Sequence, residues 1–202
     1  LLSRGLGDVY KRQLLNNEKE ISKRTLASLL KVQQMGTRIA LASGRPTYGL
    51  MPLAKILELG NYGGFIVSYN GCQIINAQNG EILFERRINP EMLPYLEKKA
   101  HKNGFAIFTY HDDTLLTDSP NNEHIRTEAK LNNLKIIKEE DFSIAIDFAP
   151  CKCMLVSDDE EALTGLEEHW KRRLNGTLDV FRSEPYFLEV VPCGIDKANT
   201  LG

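Results

Sequence analysis

The sequence predicts an α/β fold in which an α+β unit is inserted into a doubly wound parallel sheet. One observation behind this prediction is a helix-strand-helix-strand order before residue 86, because parallel strands need helical crossovers between them. The other is a helix-strand-strand order that occurs twice between residues 87 and 187 and is typical of α+β units. The borders of the inserted unit are therefore placed near residues 86 and 187.

In the first part of the chain, a helix is predicted at about residues 22–35. Ser22 is a favourable N-cap residue, leucines recur on one face, and Gly36 suits the position after the last turn. Short apolar runs predict buried strands, with a second helix between them, and an Asn-Gly pair predicts a hairpin. The predicted strands are 37–42 and 65–68, and the predicted hairpin joins 72–75 to 81–86.

The middle of the chain has a different order of elements. Periodic apolar positions predict helices, and alternating apolar residues flanked by turn residues predict strands and hairpins. The predicted helices are 90–103, 123–132 and 160–173, and the predicted strands are 105–110, 114–118, 152–157, 177–182 and 186–191. This pattern gives the inserted unit a sheet of its own.

Composition excludes several classes of partner. The formal net charge is -2, so the chain has no broad basic surface and nucleic acid is not expected as a main partner. No apolar run approaches the roughly 20 residues of a membrane helix, so no membrane partner is expected. The cysteines are not paired in a zinc-binding pattern, so no metal ligand is assigned to them, and reduced thiols fit a cytoplasmic location.

Candidate functional residues follow the predicted parallel strands. Ligands of open parallel sheets bind at the carboxyl ends of the strands. Ser43-Gly44-Arg45 follows the first strand, where a hydroxyl and successive N–H groups at a helix N-terminus can hold a phosphate oxygen, and Gly44 allows close approach. Asn70-Gly71 follows the second strand. A plain strand-to-helix turn and a plain Asn-Gly turn remain alternative interpretations.

A further candidate lies near the end of the chain. Gly194-Ile195-Asp196-Lys197 reads as the beginning of a helix, and a lysine in a first turn is disfavoured by the helix dipole. A bound anion would explain Lys197 at this position. A solvated lysine is the alternative.

Together and in this order, these segments resemble the haloacid dehalogenase-like (HAD) superfamily, specifically Cof-type sugar-phosphate phosphatases with a large α/β cap of the C2B type. The segments that carry the resemblance are LLNNEKEIS at 14–22, IALASGRP at 39–46, FIVSYNGCQI at 65–74, KCMLVSD at 152–158 and YFLEVVPCGIDKANTLG at 186–202. The resemblance implies a Rossmann-like core at 14–86, an inserted cap domain at 87–187 and a return segment of the core at 188–202.

The resemblance also implies roles for individual residues. Ser43, Gly44 and Lys197 match positions that bind the phosphoryl group, and Arg45, Asn70 and Gly71 match positions near the substrate. The implied partner is a small phosphorylated metabolite, and the implied cofactor is Mg²⁺. Cap loops such as His111-Asp112-Asp113 are candidates to face the substrate, although a solvated hairpin turn is the alternative.

The first catalytic motif of that family is not matched. Alignment places Val9 at the nucleophilic aspartate, Lys11 at the general acid/base aspartate and Gln13 at the threonine. Valine cannot attack phosphorus and lysine cannot ligate Mg²⁺, so no catalytic residue and no metal ligand are assigned. Residues 1–13 show no periodicity and are expected to be a non-native head.

Two functional interpretations follow from this mismatch. In the first, the chain is an inactive fragment of a Mg²⁺-dependent phosphatase that works through an aspartyl-phosphate and lacks the first and last motifs. In the second, it is a non-catalytic phosphosugar-binding pseudo-phosphatase. The sequence predicts neither the particular phosphate ester nor the oligomeric state.

Overall fold

The structure of this chain is a computed structural model that describes residues 14–16 and 20–195. Val9, Lys11, Gln13 and Lys197 lie outside the described residues. The chain divides into two compact units, with the boundaries between Phe84 and Glu85 and between Ile195 and Asp196.

The first unit has an α/β organisation. Its elements are α1 (Lys23–Gln34), β1 (Ala40–Ala42), α2 (Thr47–Ile56), β2 (Phe65–Ser68), β3 (Gln73–Asn76) and β4 (Ile82–Glu85). The strands form one sheet in the order β1-β2-β3-β4. β1 and β2 are parallel, as the order of helices and strands predicts, and β3 is antiparallel to β2.

Local sequence explains where α1 begins and ends. The Ser22 side chain accepts a hydrogen bond from the Thr25 N–H at 3.1 Å, which satisfies one of the helix's unpaired first-turn donors. Gly36 follows the helix with φ +91°, a conformation that costs glycine little. The predicted leucine face is also found, because Leu26 and Leu29 pack against the buried cluster of the first unit.

The second unit, Glu85–Ile195, contains a mixed sheet with helices. After a 3-10 turn at Pro90–Met92 come α3 (Leu93–Lys102), β5 (Ala106–His111), β6 (Thr114–Thr117), α4 (Glu123–Leu131), β7 (Lys135–Lys138), α5 (Phe142–Ala145), β8 (Cys153–Val156), α6 (Glu160–Arg173), β9 (Leu178–Glu184) and β10 (Phe187–Pro192). The strand order is β7-β6-β5-β8-β10-β9, in which only the β6–β7 pair is parallel.

One face of this sheet carries the main core of the second unit. Apolar side chains of α3 and α6 pack against alternate residues of β5, β8 and β10. Trp170 is fully buried there, and its ring centroid lies 6.1 Å from that of Tyr95. The α+β unit that the sequence predicts is therefore found, with a continuous core.

Three features of the second unit differ from the sequence-based expectation. β7 and α5 are present although the sequence predicts neither. Residues 188–192, assigned above to the return segment of the first domain, form most of β10, whose pairing with β8 and β9 includes them in the second unit's sheet.

Within the part of the chain that the structure describes, no helix is long and apolar enough to cross a membrane.

Candidate functional site

The two predicted binding turns lie at the same edge of the first unit's sheet. β1 and β2 run parallel with Ala42 paired to Val67, so their carboxyl ends coincide. The Ser43 N–H continues the pairing by donating to the Val67 carbonyl oxygen at 2.9 Å. The turn that begins at Ser43 therefore starts beside the end of β2.

Backbone hydrogen bonds join the two turns directly. The Asn70 N–H donates to the Ser43 carbonyl oxygen at 3.1 Å, and the Tyr69 N–H donates to the Arg45 carbonyl oxygen at 3.0 Å. The structure thus brings together the predicted residues Ser43, Gly44, Arg45, Asn70 and Gly71. The predicted contribution of Lys197 falls outside the described residues.

The Asn70 carboxamide lies against Gly44. A Cβ atom added to Gly44 would be 2.6 Å from Asn70 Oδ1, closer than any normal carbon–oxygen contact. The turn that carries Asn70 is left-handed over consecutive residues, with φ 51° at Tyr69, 62° at Asn70 and 108° at Gly71. Asparagine and glycine tolerate this conformation, whereas tyrosine adopts it rarely. The absence of a Cβ atom at Gly44 therefore leaves the space that the Asn70 carboxamide occupies.

The Ser43 turn presents two side-chain hydrogen-bond donors, a hydroxyl and a guanidinium. Ser43 Oγ accepts from the Arg45 N–H at 3.2 Å, and the hydroxyl hydrogen has no acceptor among the described residues. The Arg45 guanidinium likewise has no polar partner within residues 14–16 and 20–195. Pro46 is the N-cap of α2 and makes no side-chain cap bond to the helix. Donors, a cation and a helix N-terminus together form an arrangement that suits an anion such as phosphate.

The same residues do not make a magnesium site on their own. Mg²⁺ prefers an octahedral set of oxygen ligands that includes carboxylates, and the described site residues supply a hydroxyl and a carboxamide oxygen. Across the described ranges, no group of three or more His, Cys, Asp or Glu side chains could hold a metal ion.

A family model described as haloacid dehalogenase-like hydrolase matches residues 13–202. The chain belongs to the haloacid dehalogenase-like hydrolase family. This confirms the resemblance drawn from the motifs and the α/β fold class that it implied.

Individual relatives agree with this membership. A crystal structure of a haloacid dehalogenase-like hydrolase from Bacteroides thetaiotaomicron is 43% identical with TM-score 0.87, covering 93% of this chain and 70% of that one. A structure from Thermotoga maritima is 26% identical with TM-score 0.76, covering 93% and 68%. The HMP-PP phosphatase of Yersinia pseudotuberculosis is 22% identical over 188 residues, and this chain spans 66% of its length.

In this member of the haloacid dehalogenase-like family, sequence reasoning missed a polar cluster behind the turns. Thr47 Oγ1 lies 2.6 Å from Ser68 Oγ and 2.5 Å from Gln73 Oε1. Ser68 is fully buried and Gln73 nearly so. The available signal was a serine that ends an otherwise apolar strand, since a buried hydroxyl needs a hydrogen-bond partner.

The predicted cap loop has local partners in the second unit. Asp113 Oδ2 lies 2.6 Å from Lys135 Nζ, whose hydrogen bond and charge lower the pKa of this carboxyl. The His111 ring stacks on Phe148 with centroids 4.3 Å apart, and Asp112 has φ 49°. These contacts describe an ordered hairpin turn, and they assign no ligand to it.

The most buried charges of the second unit form an ion pair. Lys152 Nζ lies 3.2 Å from Glu189 Oε2, with side-chain exposures of 3% and 7%. Lys152 Nζ also lies 5.6 Å from the centroid of the Tyr110 ring. Because both charges are removed from water, each depends on its partners for stability.

Proposed function

We propose that this chain carries the phosphate-binding turns of a phosphatase that hydrolyses small phosphorylated metabolites, such as sugar phosphates. The observation that carries the proposal is the pair of turns held together at one sheet edge, with the Ser43 hydroxyl hydrogen and the Arg45 guanidinium unbonded within the described residues. The similarity to an HMP-PP phosphatase supports a phosphate ester as the substrate class.

Each residue has a distinct part in this proposal. Ser43 and the Gly44 backbone bind oxygens of the phosphoryl group, and Lys197 offsets their charge. Arg45, Asn70 and Gly71 orient the rest of the substrate. Preorganised donors and cations stabilise the negative charge of a transferring phosphoryl group.

Membership of the family also suggests how the phosphate ester would be hydrolysed. A carboxylate nucleophile would form an aspartyl-phosphate that water then hydrolyses. Mg²⁺ is the cofactor expected by family membership, and no described residue is assigned as its ligand. Since Val9 and Lys11 occupy the positions aligned with the two aspartates, we expect this chain to bind phosphate without turning over an ester.

The second unit is proposed to act as the substrate-selecting cap, corresponding to the predicted domain at 87–187. Its own sheet and core give it the independence that a cap domain needs. A cytoplasmic location is part of the same proposal, and it is supported by the cysteines, which are free thiols.

A second candidate function is that of a phosphosugar-binding protein without catalysis. Val9 and Lys11 favour it, because binding needs the Ser43 turn and not the aspartates. The genomic sequence that encodes residues 9–13 distinguishes the two candidates. An Asp-x-Asp-Gly-Thr motif there would select the phosphatase.

The proposal is tested by titrating the purified 202-residue chain with inorganic phosphate and following backbone amide signals by NMR. We expect the largest shifts at Gly44, Arg45 and Asn70, with affinity in the millimolar range. Ser43→Ala should weaken binding roughly tenfold, because it removes a hydrogen bond to a charged ligand. Ser28→Ala is the matched control, since Ser28 donates to the Arg24 carbonyl oxygen within α1.

Three results would contradict parts of the proposal. If saturating phosphate leaves the amides of the Ser43 turn unmoved, the turn is not a phosphate site. If the chain releases phosphate from p-nitrophenyl phosphate in a Mg²⁺-dependent manner, the expected absence of turnover is wrong. Equal effects of Ser43→Ala and Ser28→Ala would also count against the assigned role of Ser43.

A further inference from the structure

The polar cluster behind the turns has a defined direction of hydrogen bonding. Thr47 has one hydroxyl hydrogen, and it donates to Gln73 Oε1 at 2.5 Å. The 2.6 Å contact between Thr47 Oγ1 and Ser68 Oγ then needs the Ser68 hydroxyl hydrogen, and Ser68 also makes a longer, 3.5 Å hydrogen bond to Gln73 Oε1. The result is a chain of hydrogen bonds from Ser68 through Thr47 to Gln73.

This chain of hydrogen bonds spans the ends of separate elements. Thr47 is the first residue of α2, Ser68 is the last of β2 and Gln73 is the first of β3. Ser68 and Gln73 are directly paired across the β2–β3 hairpin. Thr47 therefore ties the start of α2 to both strand ends that flank the left-handed turn.

The turn between these strand ends needs support from its surroundings. Tyr69 and Asn70 both have positive φ, and non-glycine residues in this region persist only where neighbouring structure holds them. The bonds from the Tyr69 and Asn70 N–H groups to the Arg45 and Ser43 carbonyl oxygens supply part of that support. The Thr47 cluster fixes the strand ends from which the turn leaves.

We propose that Thr47 is a positioning residue of the phosphate-binding turns. Its hydroxyl holds the left-handed turn 69–71 against Ser43–Arg45 and so sets where the Asn70 carboxamide lies, without itself contacting the ligand. This inference rests on the proposed function for its effect on phosphate binding. Its effect on the turn in the ligand-free chain is independent of that function.

The test compares Thr47→Val with Thr47→Ser in the 202-residue chain. Valine keeps the β-branched shape and removes the hydroxyl, whereas serine keeps the hydroxyl. Amide hydrogen exchange at Tyr69 and Asn70 reports the turn without ligand, and titration with inorganic phosphate reports binding. We expect Thr47→Val to accelerate exchange at these two amides and to weaken phosphate binding roughly fivefold, because a looser turn no longer holds Ser43 and Arg45 in place. Thr47→Ser should restore both.

Thr109→Val is the matched control for the loss of a threonine hydroxyl. Thr109 is fully buried in the second unit, and its Oγ1 donates to the Lys152 carbonyl oxygen at 2.6 Å. This variant should lower stability without changing exchange at Tyr69 and Asn70 or the affinity for phosphate. If Thr47→Val does not fold, Ser68→Ala removes one member of the cluster and is measured in its place.

The possible outcomes separate the two ideas. Unchanged exchange at Tyr69 and Asn70 in Thr47→Val, or an acceleration spread evenly over the first unit, would overturn the positioning role. If the unsubstituted chain binds no phosphate while Thr47→Val still loosens the turn, the proposed function is wrong and the positioning role stands. Failure of Thr47→Ser to restore the turn would show that the hydroxyl is not the group that matters.

Discussion

Replacing Gly44 by alanine probes how the candidate site is assembled, because one added carbon meets one side chain. The φ of Gly44 is not positive, so alanine has no backbone penalty there. The new Cβ would lie 2.6 Å from Asn70 Oδ1, 3.4 Å from its Cγ and 3.5 Å from its Nδ2. A normal C···O contact is about 3.3 Å, so the carboxamide must retreat by about 0.7 Å.

The expected cost to stability is small. Moving Asn70 off its preferred rotamer costs about 0.5–1.5 kcal/mol. Alanine offsets about 0.4–1 kcal/mol of this by restricting the unfolded chain. The free energy of unfolding should therefore change by less than about 1 kcal/mol. Phosphate affinity should fall roughly fivefold, because the displaced carboxamide disturbs a turn that is hydrogen-bonded to Ser43, the residue proposed to bind the phosphate.

Urea unfolding and phosphate titration measure these two effects separately, and Gly64→Ala provides the opposite pattern. A Cβ at Gly64 would lie 2.7 Å from the Ile39 carbonyl oxygen and 3.1 Å from Leu59 side-chain atoms, so a backbone atom blocks it. We expect this variant to lose about 1–3 kcal/mol of stability and to bind phosphate normally once folded.

A double-mutant comparison completes the test. Asn70→Gly removes the carboxamide and tolerates the φ of 62°. In that background, Gly44→Ala should no longer affect phosphate binding, because the clashing group is gone. The reasoning would be refuted if Gly44→Ala bound phosphate as tightly as the unsubstituted chain. It would also be refuted if Gly44→Ala weakened binding equally in the Asn70→Gly background.

Two further predictions concern the second unit. Lys152→Met removes the cation 3.2 Å from the buried Glu189 carboxylate and should lower the free energy of unfolding by about 3–5 kcal/mol in urea titrations. Adding Glu189→Gln to Lys152→Met should recover part of the lost stability. If Lys152→Met alone is as stable as the unsubstituted chain, this expectation is wrong. Burial raises the pKa of the Cys151 and Cys153 thiols from 9.0 to about 12. The unfolded thiols ionise first, so stability is retained below pH 9 and lost as the pH rises toward 12. Thermal melts across this range should show the melting temperature falling as the pH rises. If the melting temperature of Cys153→Ala falls equally steeply with pH, the buried thiol of Cys153 does not contribute to this loss.

Elements with strong periodicity or uniform apolar character were predicted well. The bounds of β2 (Phe65–Ser68) and α6 (Glu160–Arg173) agree with the sequence-based expectation. β7 was missed because its Lys135–Lys138 sequence is an edge strand bounded by charged residues, which weakens the strand pattern. α5 has four residues, too few to establish a helical period.

The candidate site was predictable to the level of which turns meet. Parallel strands have their carboxyl ends at one edge of the sheet, so the order of the strands in the sequence already predicts that Ser43 and Asn70 lie close together. The contact of the Asn70 carboxamide with Gly44 was not predictable, because it depends on consecutive positive φ values that include a tyrosine. The Thr47 cluster depends in turn on the register that pairs Ser68 with Gln73.

Gly44 and Thr47 act on the Asn70 turn from different sides, and this constrains how their effects combine. Gly44 leaves the space that the carboxamide occupies, and Thr47 holds the strand ends that deliver it there. Substitutions that share a partner are not additive. Once either substitution has displaced Asn70, the other can cause little further loss of phosphate affinity. Phosphate binding by the Gly44→Ala/Thr47→Val double variant should therefore be weakened less than the product of the single effects. Independent, multiplicative losses would mean that the two residues support different parts of the site.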